Sequence, residues 1–220
     1  MKKMKKTFIS MMAAIALCLA SASALSNDPN VNYIVAGNSV VPLELSLQFG
    51  KVALENQSGE TARGSLVAEP TNRNAENDAI RFTWSPKGVK NEWGTDDKSV
   101  QTITLTNRMA HVDISSVVDQ AALTMDIRVL RAPNKHVTIT LEAEWDWETR
   151  TGVPLKSALR QIPKKEWISV PIPLRCFLKD NEDFDFSKLT GIQLQTDGKM
   201  QIEISDLRLT AFPPDQVNCG

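Results

Sequence analysis

From Val137 to Asp146 apolar and polar residues alternate without a break. Val137, Ile139, Leu141, Ala143 and Trp145 fall on one side; Thr138, Thr140, Glu142, Glu144 and Asp146 fall on the other. A period of two puts successive side chains on opposite faces of an extended strand, and a helix of 3.6 residues per turn cannot gather such a set on one face. The same rhythm recurs in Ile80, Phe82 and Trp84 against Arg81 and Thr83, and in Leu123, Met125, Ile127 and Val129 against Thr124, Asp126 and Arg128. Further strands are expected at Leu43–Phe49, Gly64–Ala68, Gln101–Leu105, Trp167–Ile172, Gly191–Gln195 and Met200–Leu209.

Turn residues separate these runs: Asn56–Gly59, Ser85-Pro86-Lys87-Gly88, Ala132-Pro133-Asn134 and Thr196-Asp197-Gly198, the last a tight hairpin signal. One segment departs from the rhythm. Residues 154–162 open on a proline and place Leu155, Ala158, Leu159 and Ile162 on one face, which predicts a short helix. Roughly nine short strands and one helix predict an all-β fold, an antiparallel β-sandwich. The inner faces are expected to carry Phe82, Trp84, Met125, Ile127, Ile139, Leu141, Ile168, Val170, Ile192, Leu194, Ile202 and Ile204, with Trp145 and Trp167 also in the core. The sandwich is assigned to residues 43–212, preceded by a loosely attached arm, residues 25–42, and followed by a tail, residues 213–220.

Met1–Ala24 has the form of a secretory leader: Lys2, Lys3, Lys5 and Lys6, then an apolar stretch from Phe8 to Ala20, then Ala22-Ser23-Ala24 as a small-residue cleavage site. That stretch is too short to span a bilayer, which takes about 20 apolar residues, so export to the periplasm or beyond is expected and a membrane span is not. Without the leader 21 basic groups face 26 acidic ones. A net negative surface with no basic stripe excludes nucleic acid as a partner. Two cysteines remain, Cys176 and Cys219. In an oxidising compartment they can form one disulfide, while Cys176 in the run Leu174–Phe177 also reads as a small buried hydrophobe. With His111 and His136 far apart in sequence, they form no zinc constellation.

In the second half Trp167-Ile-Ser-Val-Pro-Ile-Pro-Leu-Arg-Cys-Phe177, Asp185-Phe-Ser187, Leu194-Gln-Thr-Asp-Gly198 and Ile202-Glu-Ile-Ser-Asp-Leu-Arg-Leu209 follow one another at short spacing. Together with Asn77-Asp-Ala-Ile-Arg-Phe-Thr-Trp84, they resemble the C-terminal galactose-binding-like domain of bacterial exo-1,3/1,4-β-glucanases of glycoside hydrolase family 3, the ExoP type. The resemblance covers about Leu43 to Thr210 and implies a jelly-roll sandwich of the kind used by carbohydrate-binding modules. At 220 residues neither the barrel nor the second α/β domain of such enzymes fits, so an accessory domain made alone is expected. The Lys135-His136 pair echoes that enzyme family only by chance.

Non-catalytic carbohydrate binding is therefore expected, with neutral glucan or galactan as ligand and a separately encoded hydrolase as companion. Exposed indoles stack on pyranose faces and carboxylates hold hydroxyls, which nominates Trp147, Trp93, Asp126 and Arg128 as contacts. Asp126 and Arg128 also read as a plain ion pair. An enzymatic alternative rests on Glu144, Asp146 and Glu148. On a strand they would share a face at about 6.5–7 Å spacing, against the roughly 5–5.5 Å between the nucleophile and acid/base of a retaining glycosidase, and the pattern resembles the catalytic strand of family 16 jelly-roll endoglycanases. An ordinary acidic strand edge explains the same residues, and a structural domain that docks another protein without touching sugar is the third reading. No metal cofactor is expected beyond a structural calcium, for which the jelly-roll resemblance points to Asp206 on the last strand and Asp96 in the loop Lys90–Asp97.

Overall fold

The computed structural model describes residues 31–219. The expected leader and residues 25–30 of the arm lie outside the described residues. In chain order the elements are β1 (Asn32–Val35), β2 (Asn38–Ser39), β3 (Leu43–Leu47), β4 (Val52–Ala53), β5 (Gly59–Glu60), β6 (Leu66–Thr71), β7 (Ala79–Trp84) and β8 (Thr102–Asn107). They continue with β9 (Ala121–Arg131), β10 (Val137–Ala143), β11 (Thr151–Pro154), α1 (Lys156–Gln161), β12 (Trp167–Pro173), β13 (Leu189–Thr196) and β14 (Met200–Ala211). All strand pairs are antiparallel.

The larger sheet runs β12-β9-β14-β7-β6-β5, with β1 on β14 and β2 on β1. The smaller runs β11-β10-β13-β8-β3-β4. Their apolar faces meet in one core. Phe82, Trp84, Met125, Ile127, Ile139, Leu141, Ile192, Leu194, Ile202 and Ile204 are all buried there, as the alternation requires. Burying each large side chain contributes on the order of 1.5–3 kcal/mol. Trp84 also satisfies its indole, Nε1 donating to the Gln101 carbonyl at 2.8 Å. Ile168 and Val170 are only half-buried, because β12 is an edge strand with a neighbour on one side alone.

Several expectations are corrected. The chain before Leu43 is no loose arm where it is described: β1 hydrogen-bonds to β14, and Tyr33 and Ile34 are buried. Burial with no partner for its hydroxyl raises the Tyr33 pKa above its usual value. The strand expected to reach Phe49 stops at Leu47, and Gln48, Phe49 and Gly50 follow in left-handed conformation (φ 53°, 53° and 84°). The run through Asp146 stops at Ala143, because Glu144 and Trp145 are also left-handed (φ 56° and 57°). Non-glycine residues adopt that region at a steric cost, so surrounding contacts must hold both turns.

The predicted helix is present as the single turn and a half of α1, with Leu159 buried. The Asp197-Gly198 hairpin joins β13 to β14, as expected. Cys176 is bonded to Cys219 and is itself buried, so it is both a core residue and the anchor of the tail. No helix among the described residues is long and apolar enough to cross a membrane.

Candidate functional site

Each sheet turns one face inward and one outward, and the two outward faces differ in chemistry. On the larger sheet, alternation on β9 and β14 puts Thr124, Asp126, Arg128, Glu203 and Arg208 outside. Asp126 takes Arg73 at 3.0 Å, Arg208 at 3.1 Å and the Ser169 hydroxyl. Glu203 takes Arg81 at 2.8 Å, Arg128 and the Thr71 hydroxyl. Burial pushes both carboxyl groups up, but these hydrogen bonds outweigh it and hold both below the usual range. Asp126 and Arg128 are thus not paired with each other.

Trp167 lies on this same outer face, half-buried rather than in the core, opposite Arg128 in the β9–β12 register. Arg128 and Arg73 stand 4.9 and 5.2 Å from its ring centre. Its strand phase carries the signal: Trp167 shares a side with Ser169 and Pro171, while the apolar side is Ile168, Val170 and Ile172. Asp126 and Glu203 are both engaged by guanidinium groups. Little hydrogen-bonding capacity remains for a ligand.

The outer face of the smaller sheet is mostly uncharged. Register places Ser46, Thr104, Gln193 and Thr140 in one row, and Glu44, Thr106, Gly191 and Glu142 in the next. Glu142 is neutralised by Arg150 (Nε at 2.7 Å) and accepts from Gln193 Nε2 at 3.0 Å. The hydroxyls of Thr102 and Thr104 are buried and have no hydrogen-bond partner. A buried hydroxyl without a partner costs free energy that a ligand hydroxyl could recover.

Trp145 closes one end of this face. Its backbone N–H donates to Thr190 Oγ1 at 3.1 Å, its indole Nε1 donates to the Asn107 carbonyl at 2.7 Å, and its ring lies 4.6 Å from that of His111. The indole therefore reaches from the end of β10 past β13 to the end of β8. Alternation places it in the core, but the left-handed backbone at Glu144 and Trp145 inverts the strand phase and leaves it 46% exposed.

The same break scatters the acidic trio. Glu144 pairs with Lys188, Asp146 caps a 3-10 turn by accepting from Glu148 N at 2.9 Å, and Glu148 lies within that turn, Trp147–Thr149. They do not line one strand face. Glu144 and Glu148 instead border a pocket of about 260 Å³ with Asn181, Asp183, Asp185 and Lys188. Trp147, beside it in sequence, is 69% exposed.

Trp93 is 78% exposed on the loop after β7. Asp96 in that loop pairs with Lys90 at 2.7 Å, and Asp206 accepts from Arg73 and Ser205. The loop leaves β7 at Trp84, opposite Met200, and Asp206 is six residues farther along β14, roughly 20 Å away at strand rise. The two are not brought together. Among the described residues no group of three or more His, Cys, Asp or Glu is arranged to hold a metal ion.

The sequence model of the Exop_C family, described as galactose-binding domain-like, matches residues 41–209. No curated protein matches the chain. Among solved structures it resembles the exo-1,3/1,4-β-glucanase ExoP of a Pseudoalteromonas species, with a TM-score of 0.60, 17% identity and 84% of this chain covered. It spans only 21% of that enzyme's length. The extra C-terminal domain of the same enzyme gives a TM-score of 0.57 at 15% identity, covering 85% of this chain and 95% of that one. A family 30 carbohydrate-binding module gives 0.55 at 17% identity, covering 86% and 91%. At these identities the likeness is one of fold.

Proposed function

The chain belongs to the Exop_C family of galactose-binding-like domains, and on that premise we propose that it is a non-catalytic carbohydrate-binding module whose glycan lies on the outer face of the smaller sheet. The observation that carries this reading is Trp145: a half-exposed indole, fixed at its nitrogen and its ring, at the end of a face of hydroxyl and amide groups. A pyranose stacks its C–H face on such a ring while its hydroxyls bond to the polar floor. Ser46, Thr104, Gln193 and Glu142 supply donors and acceptors there, and Trp147 beside the neighbouring pocket supplies a second ring.

The ligand class is neutral. An anionic surface and a floor whose two carboxylates are already paired, Glu142 with Arg150 and Glu44 with Arg108, offer an acidic polysaccharide no free cationic seat, so glucans and galactans come first. Trp93, Asp126 and Arg128 remain outside this site: the first on the loop between β7 and β8, the other two in the charge network of the opposite face. Export to the periplasm or beyond, and action beside a separately encoded hydrolase, complete the proposal. They rest on the leader-like Met1–Ala24 and on the family's glucanase relative. A structural calcium on Asp206 is not part of it, since Asp206 is already engaged by Arg73 and Ser205.

Hydrolysis by Glu144, Asp146 and Glu148 draws no support from the geometry, because the three do not share a face and Glu144 is paired with Lys188. The test is isothermal calorimetry of the exported form against soluble β-1,3-glucan, β-1,4-glucan and galactan oligosaccharides. Micromolar to millimolar binding that Trp145→Ala weakens about tenfold is expected. Binding unaffected by Trp145→Ala would place the glycan elsewhere.

A further inference from the structure

The polar floor just described is covered, and its cover is the turn that follows β3. The turn starts at the far end of the face from Trp145, where Gln48 N donates to the Thr102 carbonyl at 2.9 Å. It then doubles back over the sheet. The Phe49 ring centre lies 5.2 Å from the guanidinium of Arg150, which sits on Glu142 of β10, and β8 and β13 lie between β10 and the strand that leads into Phe49, β3. On the other flank Arg108, held by Glu44 at 2.8 Å, packs so close to Gly50 that a Cβ there would collide with its Nη2. Residues 107 and 102 are the two ends of β8, so two arginines from the Trp145 end can reach this turn only if it is folded over the floor.

Beneath it Ser46, Thr104 and Gln193 are buried although they point away from the core. Phe49 itself remains 39% exposed, which is a poor return for a ring held over a polar surface. Three consecutive residues in left-handed conformation, two of them not glycine, hold the turn in this form. Backbone held in sparsely populated conformations concentrates at ligand clamps and switch segments. The covered hydroxyls of Thr102 and Thr104 are left without partners.

We propose that the Gln48–Lys51 turn is a displaceable cover on the glycan site, with Phe49 occupying the floor when the site is empty and lifting away from Arg150 when a sugar chain enters. The proposal rests on the glycan site being this face. The free protein then spends only a fraction of its time open, and its apparent affinity is lowered by that fraction. Removing the ring removes the competitor.

Calorimetry with laminarihexaose and cellohexaose on the wild type, Phe49→Ala and Trp145→Ala tests this, with hydrogen exchange of the Gln48 amide in the wild type as a second readout. Phe49→Ala should bind about three- to tenfold tighter than the wild type, while Trp145→Ala binds about tenfold weaker. In the wild type, saturating hexaose should speed exchange at Gln48, whose bond to Thr102 opens with the turn. Weaker binding by Phe49→Ala makes Phe49 a stacking platform and overturns the cover while leaving the site in place. Slower or unchanged exchange at Gln48 on binding overturns it as well. If neither hexaose binds any of the three proteins, Phe49→Ala included, the glycan site itself has failed and the cover with it.

Discussion

Asp126 and Arg128 stand two residues apart on one face of β9 and bond to different partners, Asp126 to Arg73 and Arg208, Arg128 to the buried Glu203. Glu203 is the centre of this arrangement, since its side chain is fully buried between Arg81 and Arg128. Removing one member of a buried ion pair leaves the rest uncompensated, at a cost of about 3–5 kcal/mol. Both arginines keep partial water contact, so Glu203→Gln should cost less, about 2–3 kcal/mol. Urea unfolding of the variant measures this. A loss below about 0.5 kcal/mol would mean that the network is ornamental.

The same network predicts how stability depends on pH. Asp126 and Glu203 are both depressed below their usual 3.8 and 4.5 in the folded protein. The unfolded chain therefore takes up protons first as pH falls, and the folded state loses its advantage on acidification. Stability should be flat on the acid side of neutrality and fall from about pH 4.5 downward, through and below these carboxylates' ordinary range. The thermal midpoint measured at half-unit steps from about pH 6 to pH 2.5 checks it. Glu203→Gln should flatten the acid limb.

Alternation alone carries the reading of the core, because apolar burial on one strand face is a local and periodic signal. Phe82, Trp84, Met125 and Ile139 follow from it directly. What it misses has one physical cause. At Glu144-Trp145 the chain turns through left-handed conformations with no glycine to announce it, and at Gln48-Phe49 the glycine, Gly50, comes only after the turn has begun, so in both places the phase runs on past the strand's end. The pattern thereby assigns Trp145 to the core, and Phe49 to a strand. Trp167 is a different case: its phase with Ser169 and Pro171 already places it outside, and only its size argues for the core. Charge partners drawn from distant strands, such as Arg73 for Asp126, leave no trace in local pattern.

The disulfide closes a long loop. Cys176 and Cys219 are 43 residues apart, and on the chain-entropy account closing such a loop stabilises the fold by about 4 kcal/mol. Cys219→Ser should lower stability by about 2–4 kcal/mol in chemical denaturation, and a reducing agent should do the same to the wild type but not to the variant. The tail packs beside a groove lined by Val153, Leu155, Ile172 and Pro173. Limited proteolysis should release it only once the bond is cut.

The last prediction ranks the three exposed indoles. A side chain that must be immobilised on binding costs about 0.5–1.5 kcal/mol of ordering, whereas one already fixed costs little. Trp145 is fixed in advance by its bond to the Asn107 carbonyl and its contact with His111. The indoles of Trp147 and Trp93 have no side-chain partner among the described residues and are 69% and 78% exposed. Trp145→Ala should therefore weaken glycan binding about tenfold, Trp147→Ala about threefold or less, and Trp93→Ala not at all. His111→Ala tests the pinning itself: it should leave the unfolding midpoint unchanged, weaken binding about threefold and make the Trp145 fluorescence anisotropy decay faster. Were Trp93→Ala the strongest of these variants, the sugar would sit on the loop after β7, and the polar face of the smaller sheet would have no part in binding.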